Sequence, residues 1–258
     1  MTNPKRKSLD LLYARLETCD RCHLCVTRTH ALRGQGDVDA KFMLIALSPG
    51  EKEDRANTMF IGPTGAVLDR LFDAIRITRE SVYMTNLIKC LLPKNRRPKM
   101  EEIEICSYHL DEELSIIQPE VIVPLGFYAT RYIFDKYHYD APSARKDFAR
   151  LYGKLIYSDE QKIYPLPHPS SLLYNPSFED ETIEKYNVLN ILSHDCKWHP
   201  ICPMKRFYEQ GRLDSKWIEL YCKGDWSRCV RFQMEERGQY HPNCMRPDGS
   251  IDETLKIN

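Results

Sequence analysis

Cys19 and Cys22 form a C-x2-C pair, and Cys90 and Cys106 follow with fifteen residues between them. Four thiolates from two distant segments are enough to close a four-cysteine metal or iron–sulfur site. The second pair brackets the loop Leu91-Leu92-Pro93-Lys94-Asn95-Arg96-Arg97-Pro98-Lys99, so closing the site would pin a positively charged loop against the body of the protein. Lys94, Arg96, Arg97 and Lys99 are suited to contacts with phosphates, which position a nucleic acid without reading its bases. A second set, Cys196, Cys202, Cys222 and Cys229, lies in a stretch with few apolar runs, with His199, His241 and Cys244 as further potential ligands. A segment of that size has little core of its own, and a metal staple is the expected device. Zinc and iron–sulfur are both open there, and buried unligated thiols are the plainer alternative.

These residues need a scaffold. Four short apolar, β-branched runs, Phe42–Leu47, Val82–Leu87, Val121–Leu125 and Ile163–Leu166, read as buried parallel strands. Helical patterns fall between them at roughly 63–76, 100–117 and 126–137; the first carries Pro63 near its start and Val67, Leu68, Leu71, Phe72 and Ile75 on one stripe. The alternation implies an α/β fold, a three-layer sandwich around a mostly parallel four-stranded sheet. Sites in such folds form beyond the carboxyl ends of the strands. Ser48-Pro49-Gly50 follows the first strand, Asn86 closes the second, Gly126 follows the third and His168 follows the fourth. Residues 1–190 read as this domain, and 191–258 as a Cys-rich metal- or cluster-binding module.

Composition narrows the classes. With 42% hydrophobic residues among 258, the chain can bury a sizeable core. Lys+Arg and Asp+Glu are both 37, so no global field draws it to nucleic acid, and local basic patches must do so. Besides the loop after Cys90 there is Lys5-Arg6-Lys7, which reads as a solvated N-terminal tail. No apolar stretch follows it to make a signal peptide, and no segment nears the ~20 apolar residues of a membrane span. Ten cysteines without a secretory route point to metal binding in reducing cytoplasm rather than to disulfides. The chain is expected to be a monomer.

Ser48-Pro49-Gly50-Glu51-Lys52-Glu53-Asp54, Met59-Phe60-Ile61-Gly62, Thr85-Asn86 and Leu166-Pro167-His168-Pro169-Ser170 occur in an order that resembles the family 4 uracil-DNA glycosylases, over roughly residues 10–190. The resemblance implies hydrolysis of the N-glycosidic bond of uracil, with other deaminated bases as further substrates, in base excision repair. It implies DNA as the partner, single- or double-stranded, with RNA left open. It also implies a 4Fe–4S cluster on Cys19, Cys22, Cys90 and Cys106, with zinc as the alternative and Cys25 dispensable. A flipped base needs an aromatic face, which Phe60 can supply, and a partner for its Watson–Crick edge, which the donor and acceptor of Asn86 match. Core packing for Phe60 and a strand-end turn for Asn86 are the plain alternatives. His168, fixed between two prolines, can hold a donor at the O2 of the leaving base. Ser48, Pro49, Gly50 and Ser170 can approach backbone and phosphates, and Leu172, Leu173 and Tyr174 can wedge into the gap left by the flipped nucleotide or form a helix-start staple.

The acidic run Glu51, Glu53, Asp54 reads as a solvated turn, although Glu53 matches a family acidic position and is a catalytic candidate for orienting water. One position departs. Where the family carries an acidic residue two positions before Pro-Gly, this chain has Leu47, as in the Gly-Leu-Ala-Pro phrase of the related family 5 enzymes. Leucine can neither accept a proton nor orient water. A non-catalytic or differently acting nucleic-acid-binding iron–sulfur protein on the same fold is the alternative function.

Overall fold

The structure is a computed structural model that describes residues 3–255. In chain order its elements are α1 (Pro4–Glu17), β1 (Gln35–Gly36), β2 (Phe42–Ala46), α2 (Glu51–Ala56), α3 (Pro63–Ile75), β3 (Tyr83–Asn86), α4 (Met100–Ile117), β4 (Val121–Pro124), α5 (Gly126–Lys136), β5 (Ile156–Ser158), β6 (Gln161–Ile163), α6 (Ser171–Tyr174) and α7 (Glu179–Leu192). The C-terminal segment adds α8 (Pro203–Glu209), α9 (Ser215–Trp217) running into a π-helical turn Ile218–Cys222, and α10 (Val230–Glu236).

The sheet has six strands in the order β1-β3-β2-β4-β6-β5. Its centre is parallel, with Ala46 opposite Asn86 and Ile45 opposite both Thr85 and Pro124. The four strands read from the sequence are its four parallel members; β1 and β5 add antiparallel edges. At two and three residues these edges are too short to show a period of their own. The fourth run starts earlier than its apolar residues suggest, at Gln161, and pairing continues through Tyr164 N–H to Ile122 O (2.8 Å) and Leu166 N–H to Pro124 O (3.0 Å).

Side-chain alternation along β2 feeds two cores. Met43 and Ile45 pack with Leu9, Leu12, Leu16, Leu110 and Ile133, and therefore with α1, α4 and α5. Phe42, Leu44 and Ala46 pack with Leu68, Leu71, Phe72 and Leu189, on α3 and α7. Every residue of β2 is buried, as expected for a strand covered on both faces. Each of these large apolar side chains contributes about 1.5–3 kcal/mol by leaving water.

Two segments differ from their reading as tail and turn. Lys5-Arg6-Lys7 lies inside α1, which Asn3 caps through its side chain to Lys5 N–H, with Pro4 in the first turn. Leu9, Leu12, Tyr13 and Leu16 form the buried stripe of that helix, and Lys5 is tied to Asp39 at 3.2 Å. The acidic run forms α2, where Glu51, Glu53 and Asp54 occupy the first turn and complement the helix dipole. Asp54 is almost wholly buried and accepts the backbone N–H groups of Thr29 (2.9 Å) and His30 (3.3 Å). Its role is to hold the chain after the first cysteines against the site helix. No helix among the described residues is long and apolar enough to cross a membrane.

Candidate functional site

A cleft of about 670 Å³ opens at the carboxyl ends of the parallel strands. Its walls include Leu47, Ser48, Pro49, Gly50, Glu53, Phe60, Asn86, His168 and Ser170. All the substrate-binding and catalytic candidates read from the sequence therefore meet in one place, delivered from the ends of three strands, β2, β3 and β6. Leu173 and Tyr174 border it too, and Tyr174 is 88% exposed. Leu172, read as part of the same wedge, is instead buried in the core on the α3 side. In a short helix the side chains of residues 172 and 173 point to different faces, so one must turn inward.

His168 is positioned from several sides. Its Nδ1 lies 2.8 Å from Ser170 Oγ and accepts the Ser170 N–H at 3.3 Å. With Nδ1 an acceptor, the proton of the neutral ring sits on Nε2. The ring borders the cleft but is otherwise enclosed, and burial pushes its pKa from 6.5 down to about 4. The imidazole is thus a neutral donor across the physiological range. Gly126 is its neighbour. That residue has φ +76°, and a Cβ there would meet the His168 Cβ at 3.1 Å.

Asn86 is buried at the end of β3, where among the described residues its Nδ2 makes only a weak contact, 3.3 Å to Met59 Sδ. An amide in this position keeps hydrogen-bonding capacity for a ligand. Phe60 holds φ +52°, a conformation that costs a non-glycine residue energy. Arg79 holds that turn by donating to the carbonyls of Met59 (3.1 Å) and Phe60 (2.7 Å), and Gly65 is required because a Cβ there would lie 1.7 Å from Phe60 O. A turn so constrained fixes the direction of the Phe60 ring. Glu53 Oε1 accepts the Gly62 N–H at 2.8 Å, and its Oε2 is turned toward Gly50, where an added Cβ would meet it at 2.6 Å. Glu53 thereby ties both glycine turns of the cleft together. Leu47 lies at the cleft wall and packs its other side on the α1–α4 core.

The sequence reading passed over Phe127, Tyr128 and Arg145, which also line the cleft. Arg145 stacks over both rings, 5.1 Å from the Phe127 centroid and 5.6 Å from that of Tyr128. Phe127 and Tyr128 directly follow Gly126, so their place after the third strand was the available signal; Arg145 had none.

Cys19, Cys22, Cys90 and Cys106 line a second, smaller cavity between the end of α1 and α4. Cys25, expected to be dispensable, borders it as well. All ten cysteines are free thiols. Arg28 donates to Cys90 Sγ at 3.2 Å, the Lys89 N–H donates to Cys106 Sγ at 3.2 Å, and His109 Nε2 lies 3.5 Å from Cys19 Sγ. Burial pushes the Cys106 thiol up to about 12, so an isolated thiolate is disfavoured there and the set needs a cationic centre to be deprotonated. Soft thiolates ringed by N–H donors and cations fit an iron–sulfur cluster. The loop after Cys90 is anchored more firmly than its composition suggested. Arg96 is bound through both terminal nitrogens to Glu102, which also takes the Lys99 N–H at 2.8 Å, while Lys94, Arg97 and Lys99 are exposed. Arg96 is therefore a clamp on the loop, and the three other cations remain to meet solvent.

Comparison with known proteins agrees with this geometry. Residues 33–189 match the family model described as the Uracil DNA glycosylase superfamily, and the chain belongs to that superfamily. Within it, the chain is 37% identical over 170 residues to a type-4 uracil-DNA glycosylase of Saccharolobus solfataricus, covering 66% of this chain and 79% of the relative. It is 33% identical over 187 residues to the type-4 enzyme of Sulfurisphaera tokodaii, covering 72% and 85%. A type-5 uracil-DNA glycosylase of Pyrobaculum aerophilum is 31% identical over 157 residues, covering 54% and 66%.

Proposed function

We propose that this protein is a DNA glycosylase that hydrolyses the N-glycosidic bond of uracil in DNA, in the manner of the type-4 enzymes it resembles. The observation that carries the reading is the meeting of a neutral His168 donor, the Asn86 amide and the Phe60 ring in one cleft. Uracil leaves the stack and enters against Phe60. Asn86 pairs its edge, Nδ2 donating to O4 and Oδ1 accepting from N3–H. The bond between C1′ and N1 then breaks with its electron pair going to the base. The charge that develops on O2 receives a hydrogen bond from His168 Nε2–H, already oriented before the reaction. Water adds to C1′ and loses its proton to solvent. Glu53 Oε2 orients that water, since Leu47 offers no carboxylate at the family's acidic position.

Cys19, Cys22, Cys90 and Cys106 would hold a 4Fe–4S cluster with a structural role. When bound, it supplies a rigid thiolate anchor for the loop that follows Cys90 and takes no part in the hydrolysis. Lys94, Arg97 and Lys99 on that loop and Arg145 across the cleft meet the DNA phosphates. Release of free uracil from a single-uracil oligonucleotide, compared with hypoxanthine and xanthine substrates, tests the assignment. Binding of the oligonucleotide without release of any base would leave only the non-catalytic alternative.

A further inference from the structure

Residues after about 190 lie beyond the match to the superfamily, which ends at 189. Their own core is small: Met204, Phe207, Leu213, Ile218, Cys222 and Leu255 are its buried apolar members. Beside it lies a cavity bordered by Cys196, Cys202, Cys222 and Cys229. We propose that these four thiolates hold a second iron–sulfur cluster, one that folds the C-terminal module and fastens it to the glycosylase domain.

The placement of the cysteines carries this. The sulfurs come from three separate segments, the turn before α8, the π-helical turn and the start of α10, and yet face one space. Of the further candidates, Cys244 does not border the cavity, whereas His199 and His241 do, with His241 Nε2 3.0 Å from Glu235.

The cluster ligands also sit at the joint between the two parts. Within the module, Cys196 N–H donates to Cys222 O at 2.7 Å, and the Trp226 indole donates to His194 O at 3.0 Å. From the π-helical turn that carries Cys222, Glu219 pairs with Lys162 of β6 at 2.9 Å, and Lys162 also reaches Lys223 O at 2.8 Å. The pair is largely buried, so this contact fixes the module on the sheet.

The test is metal analysis of the full chain purified without oxygen. Two 4Fe–4S clusters give about eight irons and eight acid-labile sulfides per chain. Cys222→Ser with Cys229→Ser should halve both, as should Cys90→Ser with Cys106→Ser, while Cys244→Ser should leave them unchanged. Four irons in the wild type with no second metal, or four irons with one zinc, would overturn the second cluster. So would a Cys244→Ser variant that loses half its iron. The wild-type count stands even if a double variant fails to fold, and it does not depend on whether the chain releases uracil.

Discussion

Gly126→Ala tests how the fold positions His168. At φ +76° an alanine pays about 1–2 kcal/mol for its left-handed backbone. For a domain of this size that lowers the melting temperature by about 2–8 °C. The new Cβ also meets the His168 Cβ at 3.1 Å, and the two flanking prolines leave His168 little freedom except to shift by a few tenths of an ångström. A 1 Å misplacement of a reacting group can cost ~10²-fold, so this smaller one should slow single-turnover uracil release about 10-fold. Gly211→Ala is the control. It has φ +68° and nothing within 4 Å of an added Cβ, so it carries the same backbone strain away from the cleft. Both variants should lose stability in denaturant melts, and only Gly126→Ala should lose rate. Equal rates in the two would refute the claim that Gly126 exists to seat His168.

Three further outcomes follow from the same geometry. Replacing Lys94, Arg97 and Lys99 together with Ala should weaken DNA binding alike for all sequences and flatten its salt dependence by up to about 2–3 in log–log slope, read by fluorescence anisotropy. Unchanged affinity and slope would show that the loop does not meet phosphates. Arg96 holds the Glu102 carboxyl down to about 2 from 4.5, so the stability this gives is full above pH 4.5 and is lost as pH falls toward 2. Denaturant melts of Arg96→Ala should lose much of that acid sensitivity, and an unchanged profile would mean the pair does not form. Leu47→Glu should maintain or raise uracil release, because it returns a water-orienting group to the cleft wall; a strong loss of rate would show that the pocket depends on an apolar wall there.

The buried parallel strands were legible because covering a strand on both faces makes it one continuous apolar run, as in Phe42–Ala46. The stripe of α3 was legible for a similar reason. Less so were elements whose order comes from long-range contacts. The stripe of α1 stands behind a basic run that looks like a tail, and its Tyr13 meets Glu113 on α4, a hundred positions away, at 2.9 Å. Asp54 looked like a solvated charge and Arg96 like a phosphate contact, yet each holds a distant or buried partner that no local pattern announces. In the site, residue types with fixed neighbours, such as His168 between prolines, could be read directly. Arg145 reaches the cleft from the start of a short 3-10 helix, Arg145–Arg150, and only the folded chain brings it there.

Single-turnover release of uracil, by wild type and by His168→Ala, measures the central claim most directly. The wild type should release uracil with no titration near pH 6.5, because burial pushes the His168 pKa down to about 4. His168→Ala should be slower by ~10²–10³ with DNA binding retained, the usual effect of losing one preorganised donor to a developing anion. A wild type that releases no uracil, or a His168→Ala variant as fast as the wild type, would contradict the account.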